Sequence, residues 1–174
     1  MNSGRVNLCH PGYGASCSLC CGSHNYRMDI KQIEELLLKR GDEGPTHPYQ
    51  HPYSVKYEKL YRDAMQCPHV GLSDDNEVFC LIYGEPDKKG EVLSFFNGTC
   101  GNFYCPAWDV LTDKQVVFAA RLMKDWFYYS LLINDIESVQ NLCASYDSPE
   151  DVPEEELDEL KQDILDKFIA EDGK

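Results

Sequence analysis

Apolar residues at helical spacing predict a first helix close to residue 30. Asp29 is a suitable N-cap for it, and Gly41 is expected to end it. A second, more polar helix is predicted over residues 54–66 by the same periodicity. The inward face of the first helix comprises Ile30, Ile33, Leu36 and Leu37.

The C-terminal half of the chain has the strongest helical pattern. Apolar residues cover most of the circumference from residue 112 to about residue 145, with Thr112 and Gln115 as a partial capping box. A helix that is apolar on most sides predicts the central packing element of the fold. After Pro149 and Pro153, an apolar stripe opposite an acidic face predicts a last helix over residues 154–170.

Two short segments rich in β-branched and aromatic residues, 78–83 and 92–96, predict strands that pair as a hairpin. The first 28 residues contain Gly, Ser, Cys and Asn without apolar periodicity, which indicates loop. The expected fold class is α+β, mainly α, with a small β-hairpin and cysteine-rich loops packed on a long central helix. We expect residues 1–146 to form a metal-binding cysteine-cluster domain and residues 147–174 an acidic C-terminal helix packed on it or extending from it.

Composition and charge exclude several classes of function. With 43% hydrophobic and 26% charged residues in 174, and no apolar run near the roughly 20 residues of a membrane helix, no membrane role is expected. The first thirty residues lack the apolar run of a secretory signal, so a cytoplasmic protein is predicted. The net charge of -14 argues against nucleic acid as a partner. Residues 147–174 hold 3 Lys/Arg against 12 Asp/Glu, which is typical of a solvated helix face; the alternative is a docking surface for a basic protein partner.

Nine cysteines make up about 5% of the chain, short of the roughly 8–10% of small disulfide scaffolds. Because disulfides persist poorly in a reducing compartment, the cysteines indicate metal binding first and redox chemistry second. Cys143 lies alone on an apolar helix and is expected to be a buried core thiol. The remaining eight are the candidate metal ligands: Cys9, Cys17, Cys20, Cys21, Cys67, Cys80, Cys100 and Cys105.

The spacing of the cysteines leaves the ligand set open. Cys17 and Cys20 are three residues apart, which lets one turn direct two thiolates at one ion. Cys20 and Cys21 are adjacent, so their side chains should diverge and should not share a tetrahedral ion unless the turn is irregular. Either Cys17 and Cys20 share an ion while Cys21 packs or serves a second one, or the whole set surrounds a multinuclear centre. Since one zinc ion needs four thiolates, the excess allows two metals, a cluster or bystander thiols.

Four runs, SCSLCCG, CPHVG, CLIYGEP and CGNFYC, resemble the zinc- or iron-chelating CxxCxxCC proteins. The similarity covers roughly residues 9–107. The chain departs from the pattern at Gly14, which occupies the place of the first motif cysteine, and at Glu85, which replaces an arginine. Thirteen residues separate Pro86 from Cys100, where the family has a few, and Cys9 could replace the missing ligand. The matching cysteines are Cys17, Cys20, Cys21, Cys67, Cys80, Cys100 and Cys105.

The resemblance implies a cysteine cluster that chelates zinc or iron, including an iron-sulfur cluster, and assigns no reaction or catalytic residue. The related flagellin lysine N-methylases suggest the alternative, an iron-sulfur or cysteine-dependent redox or protein-modifying enzyme, although no GxGxxG methyl-donor motif occurs. A third interpretation is disulfide formation among the first four cysteines after oxidation. His10 and His69, near Cys9 and Cys67, are candidates for a nitrogen ligand or a supporting contact. Prolines follow His47 and His51, which forbid a helical chelate there.

Overall fold

The computed structural model describes residues 4–44, 57–83, 100 and 103–170. The chain forms two compact units. The helical unit is drawn from Met1–Leu19, Asp75–Glu77 and Pro106–Lys174, and the cysteine unit from Cys20–Asp74 and Val78–Cys105. Among the residues described, none of the helices is both long and apolar enough to cross a membrane.

The first helix of the cysteine unit, α1 (Ile30–Glu43), begins as predicted. The carboxylate of Asp29 accepts a hydrogen bond from the Gln32 amide at 2.9 Å, and the Gln32 side chain accepts one from the Asp29 amide at 3.1 Å. The predicted end at Gly41 is wrong, because the helix continues to a cap at Gly44. A Cβ atom on Gly41 would lie 2.2 Å from the carbonyl oxygen of Leu72, so this glycine permits close packing of helix on strand.

Strands β1 (Val70–Leu72) and β2 (Val78–Cys80) form an antiparallel pair with Val70 opposite Cys80. The predicted strand at 78–83 is confirmed in its first three residues, but its partner in the described structure is β1, which the pattern did not predict. Asn76 adopts a φ of 62° in the short connection, a conformation that asparagine tolerates. The predicted strand at 92–96 lies outside the described residues.

The predicted helix at 54–66 is wrong for residues 57–66, which form turns; residues 54–56 lie outside the described residues. The side chain of Asn25 explains the difference. Its amide nitrogen donates to the carbonyl oxygens of Tyr61, Ala64 and Met65 at 3.0–3.2 Å, and its oxygen accepts from the Tyr61 amide at 2.7 Å. These side-chain bonds take up backbone groups in place of a helical ladder.

The helical unit contains five α-helices in its described part. The predicted start at Thr112 with Gln115 is confirmed, since both bonds of the capping box are present. The last helix is also confirmed at both predicted ends. The helices are α2 (Pro106–Val110), α3 (Asp113–Met123), α4 (Trp126–Asn134), α5 (Ile136–Ser145) and α6 (Glu154–Ala170).

The predicted long central helix over residues 112–145 is wrong, because the chain breaks twice within it. Lys124 adopts a left-handed φ of 54°, and the Asp125 carboxylate then accepts from the Tyr128 amide at 2.6 Å to start α4. Asp135 ends α4 and starts α5, accepting from the Ser138 amide at 3.3 Å. A short carboxylate competes for backbone amides and favours a cap over a helix interior.

Helix α4 is the central packing element of the helical unit, a role that the sequence predicted for the whole of residues 112–145. It packs against α2, α3, α5 and α6. The N-terminal segment also lies on it, since Tyr129 donates to the carbonyl oxygen of Leu8 at 2.9 Å and Ser130 to that of Ser16 at 3.4 Å. The α+β, mainly α fold class is confirmed. The fully buried side chains of α4 include Trp126, Tyr129, Leu132 and Ile133.

Candidate metal centre

The structure distributes the cysteines over both units. Cys9 and Cys17 belong to the helical unit, where the Cys17 amide donates to the Cys9 carbonyl at 2.9 Å. Cys143 is half-buried, so its predicted place in the buried core is wrong. The buried residues of α5 are Val139 and Leu142, and Cys143 follows them at the edge of that face. The predicted ligands in the cysteine unit are Cys20, Cys21, Cys67, Cys80, Cys100 and Cys105.

An irregular turn brings two adjacent thiols close together. The 3-10 turn Leu19–Cys21 is followed by Gly22 at a φ of 76°. The sulfur atoms of Cys20 and Cys21 lie 4.0 Å apart. Sulfur atoms around a tetrahedral zinc ion, at about 2.3 Å from the metal, are separated by about 3.8 Å. The turn is therefore of the irregular kind that the sequence required for these two residues to serve one ion.

Gly22 also sets the distance between this turn and the segment that carries Cys67. A Cβ atom at position 22 would lie 1.8 Å from the carbonyl oxygen of Met65. With glycine there, the backbones approach closely enough for the Cys67 amide to donate to the Cys21 carbonyl at 2.9 Å. Gln66 strengthens the contact from the same segment by donating to the carbonyl oxygen of Asn25 at 2.7 Å. Backbone packing thus joins the two cysteine segments.

The β-hairpin brings Cys80 to the same region. Cys67 lies three residues before Val70, whose strand partner is Cys80, and the Leu81 amide donates to the His69 carbonyl at 2.8 Å. Burial above all, together with the neighbouring thiols of Cys80 and Cys100, raises the pKa of the Cys67 thiol to about 12. The backbone amide of His69, which donates to Cys67, acts in the opposite direction.

The other thiols also act on each other's ionisation. A hydrogen bond from Cys21 lowers the pKa of Cys20 to about 7, and the same bond, with burial, raises the pKa of Cys21 well above its usual value. Cys67 and Cys100 add to the rise at Cys21. Burial raises the pKa of Cys100, and Cys80 and Cys20 raise it further. We call Cys20, Cys21, Cys67, Cys80 and Cys100 the thiol cluster.

The described thiols of the cluster are grouped, but they are not arranged as a metal coordination shell. Over residues 4–44, 57–83, 100 and 103–170, no three His, Cys, Asp or Glu side chains are arranged to hold a metal ion. Cys105 is half-buried in the cysteine unit, and its role as a ligand stays a prediction. The donor chemistry suits a thiophilic ion, since thiolates select zinc and iron-sulfur centres.

The histidine candidates lie in different places. His69 is buried in the cysteine unit, and its backbone amide donates to Cys67, a bond that does not involve the imidazole. The role of its side chain as a ligand or supporting contact stays a prediction. His10 is exposed in the helical unit, and its role stays a prediction. His47 and His51 lie outside the described residues.

Sequence reasoning missed three residues that shape the thiol cluster. Gly22 sets the approach of the turn, Asn25 organises the segment that leads to Cys67, and Arg40 donates to the Cys67 carbonyl at 3.3 Å. In the sequence, Arg40 suits the C-terminal end of α1 as an ordinary basic residue. The sequence gives one signal for Gly22 and Asn25: both closely follow the cysteine motif, in a stretch without apolar periodicity.

Comparisons of this chain with known protein families, with curated proteins and with solved structures find no match. The resemblance to the CxxCxxCC proteins therefore stays a prediction.

Proposed function

We propose that the protein binds zinc or iron through its thiol cluster. The observation that carries the proposal is the backbone linkage of separate cysteine segments in the cysteine unit. The sulfur atoms of Cys20 and Cys21 lie 4.0 Å apart, the Cys67 amide donates to the Cys21 carbonyl at 2.9 Å, and Cys80 pairs with Val70 three residues after Cys67. Cysteines of the hairpin and of the Cys20–Cys21 turn are fixed by backbone bonds, so their proximity follows from the fold. Sulfur donors grouped in this way suit zinc or an iron-sulfur centre.

Metal binding would change the ionisation of the buried thiols. Burial holds the pKa of Cys67 at about 12, so its thiol is protonated at neutral pH. A bound cation favours the thiolate and releases the proton, so metal affinity rises with pH. Binding also has to draw the cluster into a coordination shell. The binding energy would then appear as stability of the cysteine unit.

Metal analysis of protein purified without oxygen tests the proposal. We expect about one or more equivalents of zinc plus iron per chain, because four cluster thiols are enough for one ion. Cys67→Ser and Cys80→Ser should each lose most of the metal. Cys143→Ser is the matched control, since it removes a half-buried thiol from the helical unit and should leave the metal content unchanged.

A wild-type chain that folds with well under one equivalent of metal would contradict the proposal. Equal loss of metal from the Cys67→Ser and Cys143→Ser variants would also contradict it, because the loss would then not depend on the cluster. Absorption separates the two metals: a brown protein contains an iron-sulfur centre, whereas zinc is colourless. The same analysis on Cys105→Ser measures whether Cys105, which belongs to the same unit, adds a ligand.

A second candidate function is thiol redox chemistry. It is favoured by the exposure of Cys20 and by the 4.0 Å between its sulfur and that of Cys21. In this reaction the two thiols reduce a disulfide substrate: its S–S bond breaks, it gains the two electrons and two protons, and a bond forms between Cys20 and Cys21. Mass mapping after exposure to oxidised glutathione tests the reaction. A loss of two hydrogens from a peptide that contains both cysteines supports it, and unchanged thiols refute it.

The cytoplasm is part of this proposal, because a thiol cluster stays reduced there. Neither candidate uses nucleic acid or a membrane as a partner. The acidic residues of α6, Glu154, Glu155 and Glu156 in its first turn among them, remain the proposed surface for a basic protein partner. Nothing in the described residues favours the relation to lysine N-methylases, which rests on the resemblance alone.

A further inference from the structure

Arg40 lies in the last turn of α1 and is held on several sides. One of its terminal nitrogens, Nη1, donates to the phenol oxygen of Tyr26 at 3.0 Å and to the carbonyl oxygen of Cys67 at 3.3 Å. Its guanidinium carbon lies 5.9 Å from the ring centroid of Tyr26 and 5.8 Å from that of Tyr57, within the range of cation–π attraction. Two rings and two oxygens thus fix one positive charge at the backbone of a buried cluster cysteine.

The position of this charge matches an electrostatic need of the cluster. Four thiolates around a divalent ion have a net charge of about -2. Removing such a charge from water is costly unless a cation compensates it. Guanidinium is weakly hydrated and stays protonated, so it keeps its charge at a partly buried site better than an ammonium group does.

A helix-stabilising role alone does not explain this arrangement. Lys39 occupies the preceding position, and its Nζ lies 3.8 Å from a carboxylate oxygen of Glu43 on the surface of α1. Its side chain is 70% exposed, as a basic residue that serves the helix end usually is. Arg40 instead points to the segment that contains Cys67 and bonds to its backbone. The two neighbours therefore provide a natural comparison between a surface cation and a fixed one.

We propose that Arg40 is a positioning residue of the metal centre, which stabilises the thiolate-bound metal by its charge and holds the Cys67 segment in place. This inference rests on the proposed metal binding. Arg40 acts through Cys67 and does not touch the metal. Residues of this kind typically contribute about 10- to 100-fold to metal affinity.

Zinc affinity, measured by competition with a chromophoric chelator, tests the proposal on three variants of the full chain. Arg40→Met keeps the length of the side chain without its charge and should bind zinc about 10- to 100-fold more weakly. Arg40→Lys keeps the charge but lacks the planar guanidinium that lies over the two rings, so its zinc affinity should fall between those of Arg40→Met and wild type. Lys39→Met removes the neighbouring surface charge and should bind as wild type does.

Cobalt(II) absorption distinguishes an electrostatic role of Arg40 from a purely structural one. Thiolate-to-cobalt absorption reports the number of sulfur ligands, and we expect Arg40→Met to bind cobalt more weakly with the same spectrum at saturation. A spectrum with fewer thiolate ligands would assign Arg40 to scaffolding and overturn the role of its charge. Circular dichroism of each variant verifies that the helices are intact.

The remaining outcomes are also decisive. Wild-type affinity in Arg40→Met overturns the inference, as does a loss in Arg40→Lys as large as that in Arg40→Met. If Arg40→Met does not fold, the neutral and polar Arg40→Gln decides: a loss of zinc affinity of about tenfold or more supports the inference, and wild-type affinity overturns it. A wild-type chain that binds neither metal contradicts the proposed function itself, which separates that failure from a failure of the Arg40 assignment.

Discussion

Replacement of Gly22 by alanine should separate the two backbone segments that hold the thiol cluster together. Two effects add at this position. The backbone has a φ of 76°, where an L-residue costs about 1–2 kcal/mol. The new Cβ would also lie 1.8 Å from the Met65 carbonyl oxygen, whereas ordinary contact begins at 3.4 Å. The segments must therefore move apart by more than an ångström.

The size of the effect follows from these two causes. Overpacking of a tight contact costs about 1–3 kcal/mol, so Gly22→Ala should lower the free energy of unfolding of the cysteine unit by about 2–5 kcal/mol. That is a large part of the roughly 5–15 kcal/mol that stabilises a typical domain. The same displacement lengthens the 2.9 Å bond between the Cys67 amide and the Cys21 carbonyl.

Urea unfolding monitored by circular dichroism, and the rate of Cys67 labelling by a thiol reagent, measure the effect. Cys67 is 6% exposed, so labelling of the native protein should be slow, and it should accelerate in Gly22→Ala. Gly44→Ala is the matched control within the same unit. Gly44 also has a positive φ, of 66°, but a Cβ there meets nothing within 4 Å, so the control isolates the backbone cost.

The comparison can refute the reasoning directly. If Gly22→Ala is no more destabilising than Gly44→Ala, and Cys67 stays protected, then the contact with Met65 does not determine the position of the cysteine segments. A destabilisation that affects only the helical unit would have the same meaning. Hydrogen exchange of peptides from both units distinguishes these results.

Three further substitutions test other parts of the structure. Asn25→Ala should lower the free energy of unfolding by about 2–4 kcal/mol, because it leaves backbone carbonyl groups of residues 61–65 without the hydrogen bonds from the Asn25 side chain. An unchanged midpoint of urea unfolding would refute this. Gly41→Ala, which inside a helix normally stabilises by about 1 kcal/mol, should instead destabilise by about 1–3 kcal/mol, because its Cβ would lie 2.2 Å from the Leu72 carbonyl; a gain in thermal stability would contradict the close contact. Burial raises the pKa of Asp125, so the folded state favours the protonated form of this carboxyl group. The stability that results is present at low pH and is lost as pH rises through the raised pKa. Asp125→Asn keeps a cap, and its stability relative to wild type should fall as pH is lowered from 7; a difference that is constant with pH would refute the assignment.

The sequence predicted elements well where a boundary signal accompanies the apolar pattern. Helix α6 begins directly after Pro153, and its ends were predicted correctly. At residues 124–125 and 135 the pattern continues, but Asp125 and Asp135 bind backbone amides and break the helix. Periodicity alone does not report this, because a short carboxylate is compatible with either a helix surface or a cap.

The candidate site was predictable in its residue types and not in its geometry. The cysteine spacing indicated which residues to consider, and five of the eight lie in the thiol cluster. Their arrangement depends on contacts between distant segments, such as that of Gly22 with Met65 and that of Arg40 with Cys67. A glycine that permits a close contact has no local pattern that separates it from an ordinary loop glycine.

The two helix breaks have a consequence for how the helical unit opens. Helices α3, α4 and α5 contain 11, 9 and 10 residues, each shorter than the roughly 12–15 residues at which an isolated helix becomes marginally stable. None of them can persist after its neighbours have left. The amide hydrogens of α4, the helix in contact with the others, should therefore exchange with solvent only when the whole unit unfolds, at one common rate.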